Sequence, residues 1–159
     1  MQTFSDKNGQ AWAFEITVTD VKAIAGETGT DIYAIADDGF EPLGKLLDDP
    51  VKVVEVLWVL CKEQAEERAL SPESFGRLFS GDVIEQAAEA LLSAIIDFFP
   101  RARTREAMTK IVNKSRRLRD LLTDEAMEQI EALDVDEEAE RLKSTFTKSQ
   151  GSSGSILGR

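Results

Sequence analysis

The sequence predicts a mainly α (α+β) fold, an N-terminal β-hairpin packed on a small helical bundle, followed by a long, charge-segregated C-terminal helix. Three observations predict it. Capping signals open successive helices at Asp49-Pro50, Ser71-Pro72 and Ser80-Gly81-Asp82. Apolar side chains recur at helical spacing between Asp49 and Pro100. Strong turn chemistry, Asp6-Lys7-Asn8-Gly9, separates two short alternating runs. With 159 residues, 42% hydrophobic and 31% charged, the chain suits a single domain over 1–147. That domain is expected to comprise the hairpin 2–18, a helical core 19–100 and a C-terminal helical region 101–147, with 148–159 a flexible tail. The tail's GSSGS run also resembles a cloning scar and carries no weight in the fold.

The hairpin register follows from its loop. A three-residue loop at 7–9, a type I turn ending in a left-handed Gly9, pairs Asp6 with Gln10. Phe4 then lies opposite Trp12 and Gln2 opposite Phe14. Phe4, Trp12, Phe14, Ile16 and Val18 share one face. A two-residue Asn8-Gly9 turn would put Phe4 on the other face. A hairpin alone is marginal in water, so this face is expected to cover the helical core. The alternative is a docking edge for a partner strand.

Thr19-Asp20 is read as the cap of a short helix through Val21 and Ile24, ending among Gly26 to Gly29. The next run, with Ile32, Tyr33 and Ile35, is too short to decide between helix and strand. Leu43, Leu46 and Leu47 form one apolar helical turn. Asp49-Pro50 then opens the central helix, with Val54, Leu57, Trp58, Cys61 and Ala65 expected on its buried face and Lys52, Glu55, Lys62, Glu63 and Glu66 outside. Its 56–61 segment, VLWVLC, is apolar all round, which places it at the centre of the bundle. Cys61 is read as packing, since it lacks a basic or helix-N-terminal setting. Ser71-Pro72-Glu73 starts a short helix carrying Phe75, Leu78 and Phe79. Asp82 is read as the cap of a longer helix whose stripe runs through Ile84, Ala87, Leu91, Ile95 and Phe99.

Beyond Pro100 the charge reverses along the chain. Residues 101–119 hold eight Lys or Arg against Glu106 alone, a net +7; residues 120–143 hold ten Asp or Glu against Arg141 and Lys143, a net −8. One long helix or two collinear ones are expected; if two, Thr123-Asp124 is where they divide, because Thr is a serviceable cap there. The basic half, including Arg101, Arg103, Arg116 and Arg117, invites a nucleic-acid reading. No aromatic residue interleaves to stack bases, and the acidic half adjoins it. Self-pairing, within the chain or with the acidic half of another copy, is the simpler use of such a pattern.

Several chemistries are excluded. Histidine is absent, which removes Ser-His and Cys-His pairs and the commonest metal ligand. Gly26-Glu27-Thr28-Gly29 lacks the Lys-Ser/Thr of a phosphate loop. Asp37, Asp38, Glu41, Asp48 and Asp49 miss the calcium-loop spacing, so no metal is expected there; a metal-dependent enzyme built on this loop is the remotest reading. The single cysteine forbids an intrachain disulfide, and the N-terminus lacks a signal-peptide pattern. No apolar run approaches the roughly 18 residues that cross a bilayer. The net charge of −11 disfavours general binding to phosphate backbones. The expectation is a cytoplasmic, non-enzymatic binding or assembly protein with no cofactor and no membrane association.

The order of features resembles phage and prophage tail assembly chaperones. The aromatic strand AWAFEITV, the helix opening at Asp49-Pro50, the Ser71-x-x-x-Phe75-Gly76 turn and the helix from Ser80-Gly81-Asp82 to Phe98-Phe99-Pro100 carry the resemblance. It implies a protein of the bacterial host cytoplasm that coats the helical tape-measure protein and recruits tail-tube subunits. Many members of that family also have a longer, frameshifted product. A coat of this kind needs an apolar groove for a helix. The residues put forward for partner binding are Trp58, Phe75, Phe79, Phe98 and Phe99, with Arg101, Arg103, Arg116 and Arg117. The four phenylalanines exceed what one helix pair can bury.

Overall fold

In the computed structural model, which describes residues 1–150, the chain is mostly helical with one antiparallel hairpin. Its contacts fall into two units, Met1–Val112 and a second beginning at Asn113, where the sequence reading takes 1–147 as one domain.

Strands β1 (Gln2–Ser5) and β2 (Ala11–Phe14) pair in the register that the loop dictates, Phe4 opposite Trp12 and Gln2 opposite Phe14. Asp6 N–H donates to Gln10 O at 3.0 Å, and Gly9 takes φ 78°, the left-handed value the loop requires. Phe4, Trp12, Phe14 and Ile16 are buried, so this face covers the core as expected. Val18 does not share it: it is 58% exposed and begins α1 (Val18–Thr28). The helix cap is accordingly Thr17, not Thr19-Asp20. Thr17 accepts from Asp20 N–H while the Asp20 carboxylate accepts from Thr17 N–H, a reciprocal capping box.

The undecided run after α1 forms two single 3-10 turns, Ala34–Ala36 and Asp38–Phe40, and buries Ile32 and Ile35. Helix α2 (Glu41–Leu47) buries Leu43 and Leu46. Helix α3 (Pro50–Leu60) starts where Asp49 accepts from Val51 N–H and Lys52 N–H, a cap worth about 1 kcal/mol. It packs against α1, α2, the short α5 (Pro72–Gly76) and α6 (Asp82–Phe98), and so is central.

Its buried face matches the expected one at Leu57, Cys61 and Ala65 and differs elsewhere. Val53 and Val56 are fully buried, whereas Val54 and Trp58 are only partly covered. A segment apolar all round offers no periodicity to choose a face, and the neighbours choose it. The helix also bends at Cys61 (φ −102°, ψ 9°) before α4 (Lys62–Glu67).

At α6 the cap residue is Gly81 (φ 54°, ψ −130°), not Asp82, which lies in the first turn. That conformation is open to glycine alone. β1 lies across α6, with Lys7 N–H donating to Leu78 O (3.2 Å) and Gln2 Nε2 donating to Asp97 Oδ2 (2.8 Å). From α4, Gln64 accepts from Ala13 N–H (3.2 Å) and donates to Ala13 O (2.6 Å), while Arg68 donates to Ala11 O (3.0 Å).

Helix α7 (Ala102–Glu131) is continuous through Thr123-Asp124. The Thr123 hydroxyl donates to Arg119 O, one turn back, instead of capping a new helix. The break comes at 132–134, and Asp134 caps α8 (Val135–Gln150) by accepting from Asp136 and Glu137 N–H. At its start α7 joins the core of the first unit, with Met108 fully buried and Arg105 donating to Phe99 O at 2.6 Å. No helix among the described residues is long and apolar enough to cross a membrane.

Candidate functional site

The over-supply of apolar residues on α3 leaves an open groove in the first unit. Its wall is Val51, Val54, Trp58 and Val59 of α3, faced by Phe79 and by Ile84 of α6. Glu27 and Thr28, at the end of α1, and Glu55 border it, and Pro72 and Gly76 of α5 complete the lining. The groove encloses ≈ 440 Å³. That size is within the range of ligand sites, but the lining is mostly aliphatic and aromatic, without the converging polar groups that orient a small substrate.

Beneath the groove lies a continuous aromatic cluster. Trp58 meets Phe75 edge-on at 5.5 Å, Phe75 meets Phe79 at 5.0 Å and Trp12 edge-on at 5.0 Å, and Phe79 meets Phe4 at 5.4 Å. Edge-to-face pairs at these separations are favourable. The groove wall is thereby backed by the hairpin.

Two carboxylates at its border are shared with lysines. Glu27 pairs with Lys62 at 3.5 Å and Glu55 with Lys52 at 3.0 Å, all of them about half-exposed. Such pairs contribute about 0–1 kcal/mol, so either carboxylate can turn to an incoming cation at little cost.

The structure brings only some of the sequence-predicted partner residues together. Trp58 and Phe79 line the groove. Phe75 is fully buried below them, and Phe99 is buried at the end of α6. Phe98 packs edge-on against Tyr33 at 5.4 Å, outside the groove lining. Arg101 and Arg103 stand exposed at the start of α7, and Arg116 and Arg117 are exposed further along it. The residues missed include Val51, Val54, Val59, Gly76 and Ile84. For the three valines the signal that could have found them is the apolar surplus of VKVVEVLWVL, which exceeds what one buried face can absorb; Gly76 and Ile84 carry no such signal.

Among the described residues, no three of His, Cys, Asp and Glu come together to hold a metal ion. Asp49 is a cap, and Glu41 pairs with Lys45 at 2.7 Å. Burial pushes the Cys61 thiol up to about 12, with Arg68 only partly offsetting it. Native Cys61 is therefore expected to resist a thiol-specific disulfide reagent at pH 8 and to react fully once urea unfolds the chain. Fast labelling of the native protein would contradict the burial argument.

No family model, curated protein or solved structure matches the chain.

Proposed function

We propose that this protein is a non-enzymatic binding protein of the assembly-chaperone type, whose groove receives the apolar face of a helix from a longer partner. The observation that carries the reading is the open groove walled by Val54, Trp58 and Phe79 and rigidly backed by aromatic packing. Helix-in-groove recognition needs such a trough, with anchor side chains entering at i, i+3 and i+4 spacing. Glu27 and Glu55 at its border favour an occupant that carries Lys or Arg beside its apolar stripe. The order of sequence features shared with phage tail assembly chaperones supports the tape-measure protein as that occupant. Tail-tube subunits are the second partner on this reading.

Gly76 supplies a clean test. It lines the groove, and a Cβ built there meets no atom within 4 Å. Gly76→Leu therefore adds bulk beside the groove without a clash at its root, and replacing glycine inside a helix favours folding. The expected outcome is an unchanged or raised melting temperature and at least a tenfold loss of affinity for tape-measure helix segments in pull-down and calorimetry. Wild-type protein that fails to bind any segment of its neighbouring tape-measure protein would sink the phage assignment. Undiminished binding by Gly76→Leu would sink the groove.

A further inference from the structure

The second half of α7 carries a surface that the groove does not use. Every residue from 113 to 138 is exposed. Among them Leu118, Leu121, Leu122, Met127 and Ile130 are each more than half exposed. Leu118, Leu121 and Leu122 stand within about one turn at three- and four-residue steps and, with Ala126 one turn on, form a short stripe along one side of the helix; Met127 and Ile130 lie off it. A helix this polar on its remaining faces gains little by standing alone in water, so the stripe calls for a cover.

The charge pattern identifies the cover. The net charge changes from +7 over 101–119 to −8 over 120–143, and the boundary, Arg119-Asp120, falls amid the three leucines. Laid parallel, two copies of α7 would set basic residues on basic and acidic on acidic. Laid antiparallel, each basic half meets an acidic half, and Leu118, Leu121 and Leu122 of both copies meet in the middle. The pattern is self-complementary only about a two-fold axis, as an isologous interface requires. Folding α8 back on α7 is the competing cover. It would bring Asp136, Glu137 and Glu138 beside the acids of α7, which repels.

We propose that the protein forms an antiparallel homodimer through α7, with its two-fold axis at Arg119-Asp120. Residues 113–126 of each copy then overlap over roughly 20 Å. Lys114 of one copy lies opposite Glu125 of the other, both on the leucine side of the helix. An overlap this short, flanked by exposed charges, makes the association moderate in strength and sensitive to salt.

Charge exchange on the full chain tests the arrangement. The wild type is expected to sediment as a dimer at 100 µM in low salt and to shift toward monomer in 0.5 M NaCl. Lys114→Glu, and separately Glu125→Lys, should each be monomeric, because each places like charges across the axis. Mixed in equal amounts, the two variants should associate, since the Lys114–Glu125 contacts are again between opposite charges. Both positions are exposed, and circular dichroism establishes that the helices persist. A wild type that stays monomeric at 100 µM overturns the proposal. So do charge variants that still dimerise alone, or a mixture that remains monomeric.

Discussion

Trp12→Ala is expected to remove about 3–5 kcal/mol of stability, the usual loss for deleting a buried aromatic side chain. Trp12 is fully buried and serves several neighbours at once. Its ring lies near-parallel to Phe4 at 6.5 Å, meets Phe75 edge-on at 5.0 Å and carries the Arg68 guanidinium at 3.9 Å. Its indole N–H donates to Asp6 Oδ2 at 3.0 Å. Alanine would open a cavity under the groove and leave both Asp6 and Arg68 short of a partner. Domains of this size have total stabilities of about 5–15 kcal/mol, so the variant should sit near the edge of folding. Urea denaturation followed by far-UV circular dichroism measures it. Trp12→Phe keeps most of the packing and loses the donor, and should fall between the two. A Trp12→Ala midpoint within experimental error of wild type would refute the central role given to the hairpin.

Asp6→Asn is the second large effect, and it depends on pH. Asp6 is the buried acid of the hairpin, 6% exposed. Burial alone raises its pKa. The Trp12 indole, the backbone N–H groups of Gln10 and Asn8, and the Arg68 charge together outweigh that and hold it below its ordinary value of 3.8. A carboxylate whose folded pKa lies below its unfolded one contributes stability that is fully present above the unfolded value. The contribution is lost as pH falls through the folded value. Asparagine presents one oxygen to donors that now meet two, and it carries no charge for Arg68. The cost at pH 7 is about 1–3 kcal/mol. The difference between wild type and Asp6→Asn should shrink as the pH is lowered below 3.8. Paired urea titrations at pH 7 and pH 3 check it, and a pH-independent difference would show that the charge itself contributes nothing.

The hairpin's register was legible because its loop chemistry fixes it, and the register fixes the face as far as Ile16; Val18 left that face to begin α1. Asp6 was readable as a turn opener. Its second role, as acceptor for an indole within the core, was not, because Arg68 reaches Trp12 only through the fold. The central helix was legible as an element and only partly as a face, since its 56–61 segment, VLWVLC, is apolar in every direction. That ambiguity is the origin of the groove: the surplus on α3 cannot all be buried by its neighbours. Phe75 and Phe99 looked like surplus too, but Trp12, Trp58 and Phe79 enclose the first, and the close of α6 buries the second. At Thr123, where two helices would have divided, the helix runs on for a local reason. A mid-helix threonine can bond back to the preceding turn as readily as it caps, and only Asp134 follows a true interruption.

The union of β1 with α6 has a consequence for the chain as it is made. Gln2 and its partner Asp97 are 95 residues apart. At ordinary translation rates of about 5–20 residues per second, the first strand waits roughly 5–19 s for the helix it lies on. Two strands alone are too weak to hold in the meantime. Phe4, Trp12 and Phe14 thus emerge well before the helix that covers them. During that interval the hairpin is open to capture by folding factors or to aggregation.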